Sequence, residues 1–403
     1  MKYTEQEVRQ YVEQEDVKFI RLAFCDVFGR QKNLAILPGE LDRAFSFGIP
    51  FDASAIPGFG GEVRSDLILH PDPATLSSLP WHPENGRVAR MFCTITHPDG
   101  TPFEGDCRAL LRRAIDRAAE AGLTFAFGAE MEFYLFKTDE NGEPTKEPYD
   151  RARYMDIAPL DRGEAVRREI SLTLSKMGIS PECAHHEEGP GQNEIDFRYS
   201  DPLSAADNAI TFRSVVETIV ARNGLVADFS PKPLPNEAGN GMHINLSVRA
   251  ADGRDYLPAV IAGVMDKIRE MTLFFNPQAD SYLRLGTAKA PGYISWSSEN
   301  RSQLIRIPAA AQEQYRAELR SPDPAANPYL AYALLINAGL YGIENGLALP
   351  ESEDVNLFTA GEEVLRRYRR IPASLAEAAA LARESAFIAE HVPQSIISAY
   401  CER

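Results

Sequence analysis

The chain has 403 residues, 44% hydrophobic and 25% charged, with a formal net charge of −16. That is the composition of a globular protein long enough for a buried core and more than one domain, and without a basic stripe it argues against a nucleic-acid partner. Cys25, Cys93, Cys107, Cys183 and Cys401 are scattered and lack CxxC spacing, which points to a reducing, cytoplasmic setting. The absence of a signal-peptide pattern or an apolar run of about 18 residues argues against a membrane partner.

Residues 3–15 read as a short polar helix. Alternation over 17–25, a turn at Asp26-Val27-Phe28-Gly29 and a return over 31–37 make a hairpin. Residues 51–61 form a glycine-rich loop, and 66–70 and 89–95 are short strands. Residues 1–101 thus read as a small, mostly β domain, and the turn chemistry of 97–102 marks the boundary with a second domain over 102–403.

In that second part, Asp106 caps a helix that runs to Ala121. A strand follows in which Phe125, Phe127, Ala129, Met131, Phe133 and Leu135 share one face and Glu130 and Glu132 the other. Residues 138–160 read as polar and irregular, and 162–177 and 204–222 as helices. Between those helices the run from His185 to Phe197 ends in a strand with Gln192, Glu194 and Asp196 on one face. A glycine-containing loop, 236–241, leads into a strand whose His243, Asn245 and Ser247 oppose Met242, Ile244 and Leu246. A helix over 258–274 and strands over 301–307 and 315–320 come next, the last with Arg316, Glu318 and Arg320 on one face. An apolar helix spans 324–344, and Ser374-Leu375-Ala376-Glu377 reads as a capping box opening the last helix. The whole is α+β.

Two carboxylates on one strand face repel unless they are protonated, paired or bridged by a cation. Taken alone, Glu130 and Glu132 read equally well as a solvated polar face. Glu187, Glu194 and Glu318 bring the set to five, with His243 beside them. A divalent metal is the economical way to hold such a group together, and oxygen donors with one imidazole suit Mg²⁺ or Mn²⁺. Arg284, Arg301, Arg306, Arg316 and Arg320 around it suit phosphoryl chemistry. His185 and His186 read as structural.

Six motifs carry a resemblance. They are Phe51-Asp52-x-Ser54; Gly128-x-Glu130-x-Glu132-Phe133; His186-Glu187 with Gly191-Gln192-Asn193-Glu194; and Lys232-Pro233 before Gly241-Met242-His243. The others are Asn300-Arg301-Ser302 with Ile305-Arg306-Ile307-Pro308, and Glu318-x-Arg320 with Pro322-Asp323-Pro324-x-Ala326-Asn327-Pro328. Over nearly its whole length the chain resembles the class I glutamine synthetases. The resemblance implies a β-grasp N-terminal domain and a catalytic domain with a curved antiparallel sheet. It also implies a homo-oligomer of hexameric rings stacked as a dodecamer, with active sites between subunits.

Carried over position by position, the resemblance gives Glu130, His243 and Glu318 to one metal and Glu132, Glu187 and Glu194 to the other. Arg284 and Gly239 would bind glutamate, and Tyr154 would lie near the amine. Ser247, Asn245, Arg306 and Arg316 would serve ATP. Arg301 and Arg320 would stabilise the transferring phosphoryl group, and Asp52 of a neighbouring subunit would deprotonate the amine. ATP would activate the glutamate γ-carboxylate as γ-glutamyl phosphate, which ammonia or a primary amine then attacks.

The departures from the family pattern cluster at the second substrate. Lys289 precedes Ala290-Pro291 where ammonia-using members carry a glutamate. Ala55 replaces a serine near the amine, and Ala238 replaces an asparagine in the loop over glutamate. Asn245 replaces a histidine and Glu313 a lysine near the nucleotide. Phe358 stands where some members carry an adenylylated tyrosine. The alternatives are a γ-glutamylamide synthetase that does not use ammonia, a guanidino-type phosphotransferase, and a catalytically silent regulatory paralogue that binds metal or nucleotide.

Overall fold

The computed structural model describes residues 3–61, 63–81, 86–287, 289–309, 315–352 and 354–402. The first sheet comprises β1 (Val17–Cys25), β2 (Gln31–Ile36), β3 (Ile49–Asp52), β4 (Asp66–Pro71), β5 (Ser77–Leu79) and β6 (Arg87–Thr96). Its order is β2-β1-β6-β4-β3, with β5 also on β6. The expected hairpin is β1–β2, and β1 runs parallel to β6. A helix at Glu5–Gln14 precedes it, held at its start by a capping box between Thr4 and Glu7. Phe51 and Asp52, expected in a loop, end β3 instead, paired with Leu67 and Asp66.

The second sheet comprises β7 (Leu123–Thr138), β8 (Pro144–Pro148), β9 (Pro181–His186), β10 (Gln192–Phe197), β11 (Leu225–Asp228), β12 (Met242–Ala250), β13 (Trp296–Ser298), β14 (Ile305–Ile307) and β15 (Ala317–Leu319). Its order is β13-β14-β15-β12-β7-β10-β9, with β8 and β11 also on β7. The pairing is antiparallel except between β13 and β14, which run parallel. This is the α+β architecture of a β-grasp domain followed by a curled sheet.

The long strand β7 is central because both its faces are used. The apolar face expected from Phe125 to Leu135 is buried throughout. Burying each such phenylalanine contributes about 1.5–3 kcal/mol, so register slippage that turned this face outward would be prohibitive. It packs against helices, among them Pro328–Glu344, which is buried on nearly every side, as expected of a helix apolar all round. Phe127 and Tyr332 stack there at 4.5 Å. Gly29, at φ 76°, lies so close to Asn327 that a Cβ would come within 2.9 Å of its Cα. Asn327 Nδ2 and Tyr400 Oη both donate to Val27 O at 3.0 Å, tying the turn of the first hairpin to the second sheet's helices.

Four expectations need correction. The strand expected over 301–307 shortens to β14, because Ser302 N–H and Oγ–H both donate to Asn300 Oδ1 and make a turn. The irregular stretch 138–160 contains β8, a polar strand with no apolar alternation to betray it. The helix opened by Ser374 is not the last. It ends at Glu384, Ser385 caps a second helix over Ala386–His391, and Pro393 starts a third over Gln394–Cys401. Its cap is also not a full box, since Glu377 Oε2 accepts from Ala373 N–H rather than from the cap residue.

Candidate functional site

Strand register assembles the site. Antiparallel pairing places Cys183 opposite Asp196, Asp196 opposite Glu130, and Glu130 opposite His243. The adjacent row runs His185, Glu194, Glu132. Asn245 faces Glu318 on β15, which faces Arg306 on β14. Directly opposed side chains lie about 4.5–5.5 Å apart at Cβ, so residues separated by more than 100 positions meet on one face.

Glu130, His243 and Glu318 each offer a ligand atom within 4.8 Å of the other two. His243 Nδ1 is 3.4 Å from Glu130 Oε2 and 3.5 Å from Glu318 Oε1. Glu318 is fully buried and accepts from Arg320 Nη1 at 2.5 Å and from Arg306 Nη1 at 2.7 Å. Burial pushes the Glu130 carboxyl up, but His243, Asn245 and the Arg320 charge prevail and hold it at about 2. Asn245 links this group outward: its Nδ2 donates to Glu130 Oε1 at 2.8 Å and its Oδ1 accepts from Arg316 Nε at 2.9 Å. Arg316, Asn245 and Ser247 line a cavity of about 590 Å³ together with Thr124, Tyr199 and Arg249.

His185 stands among the second expected set, Glu132, Glu187 and Glu194. Ligand atoms of Glu187 and Glu194 cluster with His185, whose Nδ1 and Nε2 lie 3.7 Å from Glu187 Oε1 and Glu194 Oε2 respectively. Glu132 Oε2 is instead turned to the Gly241 N–H at 2.7 Å and to Gln192 Nε2 at 3.2 Å. Burial, then repulsion from Glu132, Asp196, Glu130 and Glu187, lifts the Glu194 carboxyl well above its usual range. A divalent cation would relieve that repulsion, so the donor set fits one. His186 has a different place. Its Nε2 lies 2.8 Å from Asp150 Oδ1 and its Nδ1 lies 2.6 Å from Glu187 O.

Arg284 is buried, donating to Ser321 O at 2.8 Å and Arg320 O at 3.2 Å. A Cβ on Gly239 would meet Arg284 Cγ at 2.9 Å, and one on Gly241 would meet Arg284 Nη2 and His243 Nε2 at 2.8 Å. Only glycine allows the backbone this close to both groups. Tyr154 is partly exposed, its ring 5.4 Å from that of His185 in an edge contact. Arg301 is exposed, and its carbonyl accepts from Arg320 Nε at 3.1 Å. Lys289, at φ 70°, forms an ion pair at 2.9 Å with Glu188, the neighbour of Glu187.

Asp52 stands apart from the others, exposed on the first sheet, where its Oδ1 accepts from the Ser54 N–H at 2.9 Å. Ala55 is exposed near it. Glu313 lies outside the described residues. Gln192 joins Glu132 to Gly239 O and Asn240 Oδ1. Sequence reasoning set His185 aside as structural, but it lies opposite Glu194, on the face that a period of two from Glu187 back along the strand would have shown.

Comparison with known proteins follows the same division of the chain. The sequence model described as "Glutamine synthetase, beta-Grasp domain" matches residues 16–98, and "Glutamine synthetase, catalytic domain" matches 104–403. A curated glutamine synthetase of Clostridium saccharobutylicum is 45% identical over 376 residues, 90% of this chain and 85% of the relative. One of Methanosarcina mazei is 45% identical over 413 residues, 98% of this chain and 92% of the relative. Among solved structures, a GmaS/ADP complex aligns with a TM-score of 0.88 at 27% identity, covering 98% of this chain and 94% of that one. Ligand-free GmaS aligns with a TM-score of 0.87 at 28% identity over the same shares.

Proposed function

This chain belongs to the glutamine synthetase family and is an ATP-dependent ligase of glutamate with ammonia or an amine, and we propose that its preferred nucleophile is a primary amine. The observation that carries the reading is Lys289, ion-paired to Glu188 beside the metal-binding loop. That charge, partly offset by Glu188, opposes any cationic nucleophile by about 1 kcal/mol at 4 Å even in water, a cost that a primary amine offsets by burying its carbon chain and that ammonium cannot offset. The curated relatives named glutamine synthetase favour the second reading, ammonia.

In the proposed site Glu130, His243 and Glu318 hold one Mg²⁺ or Mn²⁺ ion. Glu132, Glu187 and Glu194 hold another, with His185 at its edge. The cations supply charge neutralisation for the carboxylates and the phosphate oxygens. ATP occupies the cavity lined by Ser247, Asn245 and Arg316. Arg320, held on Glu318, stabilises the transferring phosphoryl group together with Arg301, and Arg306, held on the same carboxylate, serves ATP. Arg284 takes the glutamate carboxylate, and the Gly239 backbone lies beside the amino group. The γ-carboxylate oxygen attacks the terminal phosphorus, ADP leaves, and the amine nitrogen displaces phosphate from the acyl carbon. Tyr154 flanks that amine. Asp52, contributed from a neighbouring subunit, takes its proton. Backbone donation from Ser54 holds Asp52 below the usual carboxylate range, so it is ionised and ready to attract a cationic amine.

That placement of Asp52 requires an assembly, and we extend the proposal to stacked hexameric rings. Exposed apolar side chains at Phe47, Val63 and Ile157 support an oligomer. Among the described residues no helix is long and apolar enough to cross a membrane. The five cysteines are free, in keeping with the proposed cytoplasmic setting, and we keep the proposed domain boundary at residue 101. The test is phosphate release from ATP with glutamate and Mg²⁺ or Mn²⁺, comparing ammonium, hydroxylamine and primary amines. Turnover favouring an amine supports the proposal. Saturation by ammonium at lower concentration than by any amine refutes it in favour of glutamine synthesis.

A further inference from the structure

The row that begins at Glu130 continues outward to chemistry the ligase reaction does not use. β9 is the edge strand of its sheet, and it carries Cys183 and His185 on the same face as the acids. Cys183 is exposed, and its Sγ–H donates to Asp196 Oδ2 at 2.6 Å. The other oxygen, Asp196 Oδ1, is buried and accepts no hydrogen bond among the described residues. An orphaned buried carboxylate oxygen is costly and calls for a partner. Ligand atoms of Cys183, His185 and Asp196 all lie within 4.8 Å of one another. A tetrahedral ion with bonds of about 2.0–2.3 Å sets its donors roughly 3.3–3.8 Å apart, so only small side-chain adjustments would close the group around one.

We propose that Cys183, His185 and Asp196 form a third cation site, specific for a thiophilic divalent ion such as Zn²⁺, on the rim of the catalytic face. Sulfur, imidazole and one carboxylate suit Zn²⁺ and disfavour Mg²⁺, which prefers oxygen throughout. Binding replaces the thiol proton, which leaves to solvent, and a water completes four-coordination. The site has a consequence for the reaction. His185 also faces Glu187 and Glu194 at 3.7 Å. Fixing its ring on the rim ion withdraws it from those carboxylates and puts a second positive charge beside them. Zn²⁺ at the rim therefore inhibits the Mg²⁺-supported enzyme.

The test uses the full chain in Mg²⁺ with Co²⁺ as a spectroscopic probe. A sulfur-to-cobalt charge-transfer band in the near ultraviolet is expected for the unsubstituted protein and is lost in Cys183→Ser. Zn²⁺ displaces the band and inhibits phosphate release. In C183S the basal rate stays the same and the inhibitory Zn²⁺ concentration rises about tenfold or more. The site is overturned if the band is absent, if it persists in C183S, or if C183S is inhibited at the same Zn²⁺ concentration. The cobalt spectrum needs no turnover, so its result stands whichever nucleophile the ligase uses.

Discussion

Replacing Lys289 with glutamate reverses the charge that guards the proposed amine site. Its ion pair with Glu188 spans 2.9 Å, with side chains 55% and 40% exposed. At the dielectric of water that separation corresponds to about 1.4 kcal/mol. Screening and side-chain entropy reduce the worth of such a pair to about 0.2–1 kcal/mol, so its loss leaves the fold intact. The effect on a cationic nucleophile is larger because the sign changes. An ammonium about 4 Å away goes from roughly 1 kcal/mol of repulsion to a similar attraction, a swing of about 2 kcal/mol, or about thirtyfold in affinity. Screening at about 0.15 M salt trims this to severalfold. The assay is phosphate release against ammonium concentration for the unsubstituted protein, Lys289→Glu and Lys289→Ala. KM for ammonium should fall most in K289E and about half as far, in free-energy terms, in K289A, with KM for glutamate unchanged. An ammonium KM constant within twofold across the three, in proteins of equal thermal stability, would show that Lys289 does not face the nucleophile.

Gly241→Ala would place a methyl 2.8 Å from both Arg284 Nη2 and His243 Nε2. Both tips must move, so kcat/KM should drop at least about tenfold with little change in melting temperature, since misplacing positioned groups by a fraction of an ångström is costly. Unchanged kinetics would place the glutamate site elsewhere. The His186–Asp150 contact gives a pH prediction. Burial pushes the His186 pKa down, but Asp150 and the Glu187 carbonyl prevail and raise it above its ordinary 6.5. Its stabilising contribution is therefore complete below 6.5 and is lost as pH rises through the folded value. Melting temperature should decline over that interval in the unsubstituted protein and decline less in His186→Gln. Parallel curves would remove His186 as the source.

Much of the site was legible because the chemistry-bearing residues alternate on strands. Glu130 and Glu132 on β7, Gln192, Glu194 and Asp196 on β10, and His243, Asn245 and Ser247 on β12 each announce one polar face against an apolar one. The elements that were misread lack that contrast. β8 is polar on both faces, and a turn built by Asn300 and Ser302 consumes what looked like the start of β14. At the C-terminal end, Ser385 and Pro393 divide one helical pattern into three helices.

Sequence periodicity alone determined which side chains share a face, because a strand turns its side chains over at every residue whatever it pairs with. Which faces meet was decided by tertiary structure. Register aligned Cys183, Asp196, Glu130 and His243 in one row and set His185 and Glu132 on either side of Glu194 in the next. β9 and β10 pair as a local hairpin, but joining them through β7 to His243 depends on contacts more than 100 residues apart along the chain, such as Asn245 with Glu130 and Gly241 with Glu132. No local pattern encodes them, because the pairing energy arises only once the sheet has formed around the buried face of β7.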